Sequence, residues 1–263
     1  MRFVKYQATG NDFILIDNRT GWFEKSNQGL IAKMCHRRWG IGADGLMLLE
    51  QADGIDFKMV YFNADGRIGS MCGNGGRCIS AFAFELMDLP DFVRFSAYDG
   101  LHNAKIFRQS ENHFLVSLSM NPVREVTPSG EDWILNTGSP HYVKIVDNVE
   151  LINVPQEGRR IRNSAAFSKE GINVNFVQVI NNAHIAVRTF ERGVEDETYS
   201  CGTGVTAAAL AIYTAGLSDC SSIEVQSQGG PLKVYFKPEE THGHFNDILL
   251  EGPAVKVFEG EMI

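Results

Sequence analysis

The sequence predicts an α+β fold of two pseudo-symmetric, strand-rich lobes, each wrapping a central buried helix, with an active site in the cleft between them. Three observations carry this. Residues 79–87 and 205–215 are apolar on nearly all sides, and a helix of that kind belongs in a core. Each follows a cysteine and a glycine-rich turn, Cys72-Gly73-Asn74-Gly75-Gly76 and Cys201-Gly202-Thr203-Gly204, and the spacing 201 − 72 = 129 recurs along the chain. The Thr-Gly turns give 138 − 10 = 128, Phe62-Asn63 and Phe190-Glu191 give 190 − 62 = 128, and the glycines before two apolar runs give 171 − 42 = 129. Four anchors at one offset mark two copies of one unit. Finally, many short strands surround one helix per copy, which favours α+β over a βαβ succession.

Taken in order, residues 1–17 read as strand, turn at Thr9-Gly10-Asn11-Asp12, and strand. Residues 30–35 read as a short amphipathic helix. Residues 40–45 form a loop before a strand over 46–50. Residues 57–62 are a strand that ends in the turn signature Asn63-Ala64-Asp65-Gly66. The first thiol helix follows, then short strands over 93–96, 104–108 and 114–120. Residues 121–130 are polar, carry Pro and Gly, lack periodicity and read as the linker. The first lobe is therefore 1–122 with Cys72, and the second is 123–263 with Cys201, the last strand being a candidate to cross back to the first lobe. The second copy reads as strands over 133–135 and 141–146, an unassigned stretch over 161–166, and a hairpin of 173–180 with 183–189. The second thiol helix ends at Gly216, and strands over 223–227, 232–236, 248–251 and 254–258 close the chain.

The chain has 263 residues, 44% hydrophobic and 21% charged, enough for two domains of about 120–130 residues. The net charge is −8, with Lys and Arg scattered, so no basic patch points to nucleic acid. No apolar run reaches the ~18 residues of a membrane span, and the first residues lead into a strand without a signal-peptide pattern. Five cysteines without disulfide-framework spacing indicate reduced thiols in a cytoplasm.

The paired Cys-Gly turns carry the chemistry. A thiol at the start of a buried helix meets unpaired N–H groups and the positive end of the helix dipole, which favours thiolate. The same N–H groups hold an anion such as a carboxylate. One such cysteine alone is as often a small buried hydrophobe. Two in equivalent places of a repeat either exchange electrons as a disulfide or act as acid and base on opposite faces of one carbon. Redox pairs sit close in sequence, as in Cys-x-x-Cys, whereas here each thiol belongs to its own copy, which favours the two-faced arrangement. Glu191-Arg192-Gly193 offers a planar fork for a carboxylate and an acid able to orient an ammonium or tune a thiol; a surface ion pair is its alternative. Asn11, Asn63, Asn74 and Asn173 fall in turns at strand ends, where Asn usually serves the backbone. His141 follows Ser139-Pro140 near the second thiol. Cys35-His36 lacks a second ligand pair, so no metal is expected, and Cys35, Cys78 and Cys220 are expected to be inert.

At these residues the sequence strongly resembles the diaminopimelate epimerase family, cofactor-independent enzymes of lysine and cell-wall precursor synthesis. The matching stretches are Gly10-Asn11-Asp12-Phe13, Gly40-Ile41-Gly42-Ala43-Asp44-Gly45, Asn63-Ala64-Asp65-Gly66, Met71-Cys72-Gly73-Asn74-Gly75-Gly76-Arg77-Cys78, Glu191-Arg192-Gly193 and Cys201-Gly202-Thr203-Gly204. The resemblance implies Cys72 and Cys201 as acid and base, with no cofactor. It implies that the N–H groups of Gly73, Asn74, Gly202 and Thr203 hold the carboxylate at the reacting carbon. It implies that Asn63, Asn173, Arg192 and Asn11 read the distal end of the substrate, Glu191 lying beside them, and that His141 and Glu191 assist the thiols. A cytoplasmic homodimer acting on a small molecule is the matching expectation. Two departures stand out: Ser139 where many members carry Asn, and a loop from Val194 to Thr198 that is one residue longer than usual. Proline racemase-like enzymes share the two-thiol logic but carry His where Asn74 stands. Phenazine-type isomerases share the fold and usually lack the thiol pair. A non-catalytic amino-acid-binding or redox-switch protein is the alternative of another class.

Overall fold

The computed structural model describes residues 1–263 and divides into two compact units, Met1–Leu118 with Gly252–Ile263, and Ser119–Glu251. The first unit contains β1 (Arg2–Ala8), β2 (Asn11–Asp17), α1 (Gln28–Cys35), β3 (Gly45–Glu50), β4 (Phe57–Asn63), α2 (Gly73–Met87), β5 (Phe92–Ala97), β6 (Gly100–Arg108) and β7 (His113–Ser119). The second contains β8 (Val126–Ser129), β9 (Asp132–Asn136), β10 (Pro140–Ile145), α3 (Val154–Arg162), β11 (Asn173–Asn181), β12 (His184–Glu191), β13 (Asp196–Thr198), α4 (Gly202–Thr214), β14 (Ser222–Ser227) and β15 (Gly230–Pro238). A long last strand, β16 (Phe245–Glu261), begins in the second unit and ends in the first.

In the first unit the seven strands follow in chain order, and the far part of β16 pairs with both β7 and β1. This closes an eight-stranded ring around α2, which packs on β1, β2, β3, β4 and β6. Closure removes both sheet edges. The second unit orders its strands β16-β15-β14-β12-β11-β10-β9-β8 around α4, and Val123 bridges Phe245 ahead of β8. The two units have the same plan. Pairings are antiparallel except β2–β3 and β4–β5 in one and β10–β11 and β12–β14 in the other.

The apolar patterns explain both layers. On β3, Leu46 and Leu48 join Ile31 and Met34 of α1 in an outer cluster, while Met47 reaches the inner helix near Gly75. A strand covered on both sides reads as a continuous apolar run. On β11, Val174 and Phe176 join Val154 and Ile161 of α3 in the matching outer cluster, and the alternate residue Asn175 meets α4 near Gly204.

The structure departs from the sequence reading in four places. The stretch that reads as a linker contains β8. The helix α3 was not foreseen; its signals are an Asn153 cap accepting from the Gln156 N–H at 3.2 Å, a proline in its first turn and three arginines in its last. Its buried face is narrow, with Val154 and Ile161 seven residues apart and only Gly158 between them on that face. The strands expected at 248–251 and 254–258 are one, with Pro253 inside it. Within the α+β class, each unit also holds two βαβ crossovers, through α1 and α2 or α3 and α4.

Candidate active site

In the first unit, Cys72 is the N-cap of α2, with extended backbone (φ −118°, ψ 119°), and its Sγ accepts from the Gly75 N–H at 3.5 Å. The helical ladder starts with the Gly76 N–H to the Cys72 carbonyl at 2.7 Å, so the N–H groups of Gly73 and Asn74 lie ahead of it. Asn11, at the start of β2, joins the site: Cys72 Sγ donates to its Oδ1 at 3.7 Å and Asn74 Nδ2 donates to the same oxygen at 3.3 Å. Asn11 is itself oriented by donating Nδ2 to Asp44 at 2.7 Å. Nearby, Lys5 and Arg37 flank Asp12 at 2.7 Å each. Burial alone would raise the Asp12 carboxyl, but these two cations outweigh it and bring it down to about 2.

Asn63, at the end of β4, is exposed, and its side chain makes no hydrogen bond within the protein; its backbone closes the Asn63–Gly66 turn. A cavity of about 890 Å³ is lined by β4, the Gly66–Met71 loop and Tyr98, and Cys72 does not line it.

In the second unit, Cys201 is the N-cap of α4 in nearly the same conformation (φ −117°, ψ 110°). Its Sγ lies 3.4 Å from Thr203 Oγ1, and the helical ladder begins at Val205. Behind it the polar lining differs from that of the first unit. Asn175 occupies the place of Met47 (175 − 47 = 128) and is fully buried. Its Nδ2 donates to His141 Nδ1 and to the Tyr142 carbonyl, both at 3.1 Å, and its Oδ1 accepts from Thr189 at 2.9 Å. Because Nδ1 accepts, the neutral imidazole carries its proton on Nε2, which has no partner. Burial, reinforced by the charge of Arg192, lowers His141 to about 3, so the ring is neutral at physiological pH.

The remaining predicted residues gather around Asn173. Its Nδ2 donates to Ser139 Oγ at 2.9 Å and its Oδ1 accepts from the Arg192 N–H at 2.9 Å. The Arg192 guanidinium is exposed and forms no ion pair; it donates to the Glu170 carbonyl at 3.1 Å and to Ser139 at 3.4 Å. Ser139 thus occupies the place of Asn11 (139 − 11 = 128) and links Asn173 to Arg192. Glu191 accepts from Thr198 Oγ1 at 3.0 Å. The longer loop folds as β13, which pairs with β12 as Thr198 opposite Thr189. Of the other cysteines, Cys35 is pushed up to about 12 and Cys78 higher still, both by burial. Asn175, Thr137 and Arg77 escaped the sequence reading. Thr137 donates to the Thr203 carbonyl at 2.9 Å, and Arg77 lies within a quoted motif without an assigned role. For Asn175 the available signal was an amide on an inward position of an otherwise apolar strand.

The family model for diaminopimelate epimerase matches residues 3–126 and 133–257, one stretch per repeat. The diaminopimelate epimerase of Flavobacterium psychrophilum is 49% identical over 259 residues, covering 98% of this chain and 99% of that one. That of Chlorobaculum tepidum is 42% identical over 259 residues, covering 96% and 98%. Among solved structures, a phenazine biosynthesis protein of the PhzF family from Bacillus anthracis superposes with a TM-score of 0.75 at 16% identity, covering 100% of this chain and 99% of that one. A hydroxyproline epimerase from Agrobacterium vitis gives 0.73 at 15%, covering 100% and 90%. At these identities the two structures share the fold.

Proposed function

The chain belongs to the diaminopimelate epimerase family, and from that premise we propose how its residues perform the reaction. It is an isomerase that epimerises diaminopimelate, interconverting the LL and meso forms. One of Cys72 and Cys201 takes the α-proton as thiolate, and the other gives a proton to the opposite face as thiol. The observation that carries this is the pair of cysteines at equivalent helix starts, each an N-cap with extended backbone. The electron pair left on the α-carbon delocalises into the adjacent carboxylate, and the N–H groups of Gly73, Asn74, Gly202 and Thr203 stabilise that charge. Asn11 orients Cys72, and a neutral His141 supplies an N–H rather than a second positive charge. Arg192, with Asn173 and Asn63, pairs with the distal carboxylate, and Glu191 faces the distal ammonium.

No step in this scheme calls on a metal or an organic cofactor. The reading includes residence in the cytoplasm, supported by five free thiols, and a homodimer, for which the exposed Val257 and Phe258 of β16 offer an apolar surface. No helix is long and apolar enough to cross a membrane. A place in lysine and peptidoglycan precursor synthesis follows from the substrate.

The test is isotopic. Incubation with LL-diaminopimelate in deuterium oxide should yield meso product carrying deuterium at one α-carbon, and Cys72→Ala and Cys201→Ala should each abolish it. Meso product formed without label, or substantial turnover by either Ala variant, would overturn the two-thiol mechanism.

A further inference from the structure

We propose that Arg77 is a positioning residue for the reaction, the buried counter-charge that holds Cys72 as thiolate in the ligand-free enzyme; this rests on the reading that Cys72 is one of the two acid–base thiols. Arg77 lies on the first turns of α2 and is fully buried. No carboxylate pairs with it. Its Nη2 donates to Asn74 Oδ1 at 3.0 Å and to Thr9 Oγ1 at 3.3 Å, its Nε donates to the Pro253 carbonyl at 3.3 Å, and its Nη1 has no partner. A buried charge without a counter-ion is expensive, and such groups are normally paired. Burial lowers Arg77 only to about 10, so it remains a cation at neutral pH.

Two sulfurs lie close enough to feel this charge, Cys78 beside it in sequence and Cys72 at the start of the same helix, and hydrogen bonds join Arg77 to Cys72 through Asn74 and Asn11. Cys78 is fully buried and held as thiol by that burial. Cys72 is half-buried and sits at the positive end of the helix, so it is the sulfur able to ionise. At its Sγ the Gly75 N–H favours the anion, whereas Asn11 Oδ1 favours the thiol. Arg77 adds a full, buried charge that no carboxylate balances. The other charged groups on elements packed against α2 are either paired or exposed to solvent, as Arg2 and Lys105 are. Asp12 is flanked by Lys5 and Arg37, Arg37 also binds Asp44, Glu85 is shared by Tyr6 and Arg108, and His102 is bonded to Asp99; Lys58 on β4 is exposed.

Two further observations support the assignment. Thr9, which accepts from Arg77, sits at φ +47°, where a β-branched residue is strained, so the contact is held against a conformational cost. In the second repeat the equivalent position is Thr206 (206 − 77 = 129), whose Oγ1 donates to the Gly202 carbonyl at 3.0 Å. Cys201 therefore has no equivalent cation on its helix. The two thiols accordingly rest in different states, Cys72 ionised and Cys201 protonated, which is the combination one direction of proton transfer requires.

Alkylation of the intact enzyme by iodoacetamide across a pH series, read for Cys72 and Cys201 separately by peptide mass spectrometry, tests this without substrate. Cys72 should react with a midpoint below the ordinary thiol value of about 8.5 and below that of Cys201. Arg77→Met should raise the Cys72 midpoint by about one pH unit or more, leave that of Cys201 in place, and move the acidic limb of the kcat/KM profile upward with it. Arg77→Lys, which keeps the charge, should restore most of the shift. A folded Arg77→Met protein with an unchanged Cys72 midpoint would overturn the proposal. If that variant does not fold, a parental Cys72 midpoint at or above that of Cys201 overturns it instead. Epimerisation by Cys72→Ala would remove the two-thiol reading while leaving the alkylation result to stand or fall on its own.

Discussion

At the scale of single residues, specificity and proton placement separate. In the proposed mechanism the helix-start N–H groups would accept any α-carboxylate, which leaves discrimination to the distal end of the substrate. Arg192 has no acid partner of its own and is anchored by the Glu170 carbonyl and by Ser139, which leaves its guanidinium uncompensated for a ligand carboxylate. Losing a charge-assisted pair in a closed site costs on the order of 2–5 kcal/mol. Arg192→Met should therefore fold normally and lose about two to three orders of magnitude in kcat/KM, and lysine, which lacks the distal carboxylate, should be a poor substrate for the parent. Near-parental kcat/KM would place Arg192 outside the site. His141 gives a prediction of different kind. Its folded value of about 3 lies below the ordinary 6.5, so the unfolded chain binds the proton first and stability falls as pH drops from 6.5 toward 3. Urea titrations of the parent and His141→Gln should show their stability difference moving against the parent by about 2 kcal/mol between pH 6.5 and 5. A pH-independent difference would mean that the imidazole titrates in the fold as it does in the unfolded chain.

At the scale of elements, both thiol helices depend on a glycine three residues after the cysteine, because a side chain from the adjacent strand fills the space a Cβ would take. At Gly75 that Cβ would lie 1.9 Å from Met47 Cε, and at Gly204 it would lie 2.3 Å from Asn175 Oδ1. Met47 is a flexible thioether and can swing away. Asn175 is fixed by hydrogen bonds to His141, Tyr142 and Thr189, so moving it breaks a buried network. Gly204→Ala should cost about 1–3 kcal/mol in chemical denaturation, and Gly75→Ala distinctly less. The reverse order would show that the network behind Cys201 is loose.

At the scale of the whole molecule, strand membership crosses the repeat boundary. The chain leaves β7 of the first unit and supplies β8 to the second; it leaves the near part of β16 in the second unit and supplies the far part to the first. The first ring is closed by residues that come last in the chain, with Phe258 packed edge-on against Phe3 at 5.9 Å. Deleting residues 252–263 should open β1 and β7 as exposed edges. The expected outcome in a thermal melt followed by circular dichroism is loss of the cooperative transition or aggregation, and a melt like the parent's would show that the ring is stable with seven strands.

The repeat, the helix starts and most strands could be read from the chain because each is encoded locally: Cys-Gly at a helix start, apolar residues on all faces of 79–87 and 205–215, alternation in the strands, and a turn signature at Asn63-Ala64-Asp65-Gly66. The candidate residues Asn11, Asn74 and Arg192 were legible through motifs, since short spacings survive in sequence, and Asn173 through its place at a strand end. What lay beyond reading was set by partners distant along the chain. A polar stretch over 126–129 becomes a strand because Leu135 and Trp133 offer it an edge, and α3 forms because β11 and β12 bury its sparse apolar face. Met47 and Asn175 hold equivalent places, yet only packing against the two helix starts shows that one thiol has an apolar neighbour and the other a hydrogen-bonded network. The charge of Arg77 is visible in the sequence, but its burial without an acid is not, because burial is a property of the closed ring, and desolvation turns an ordinary arginine into a strong local field.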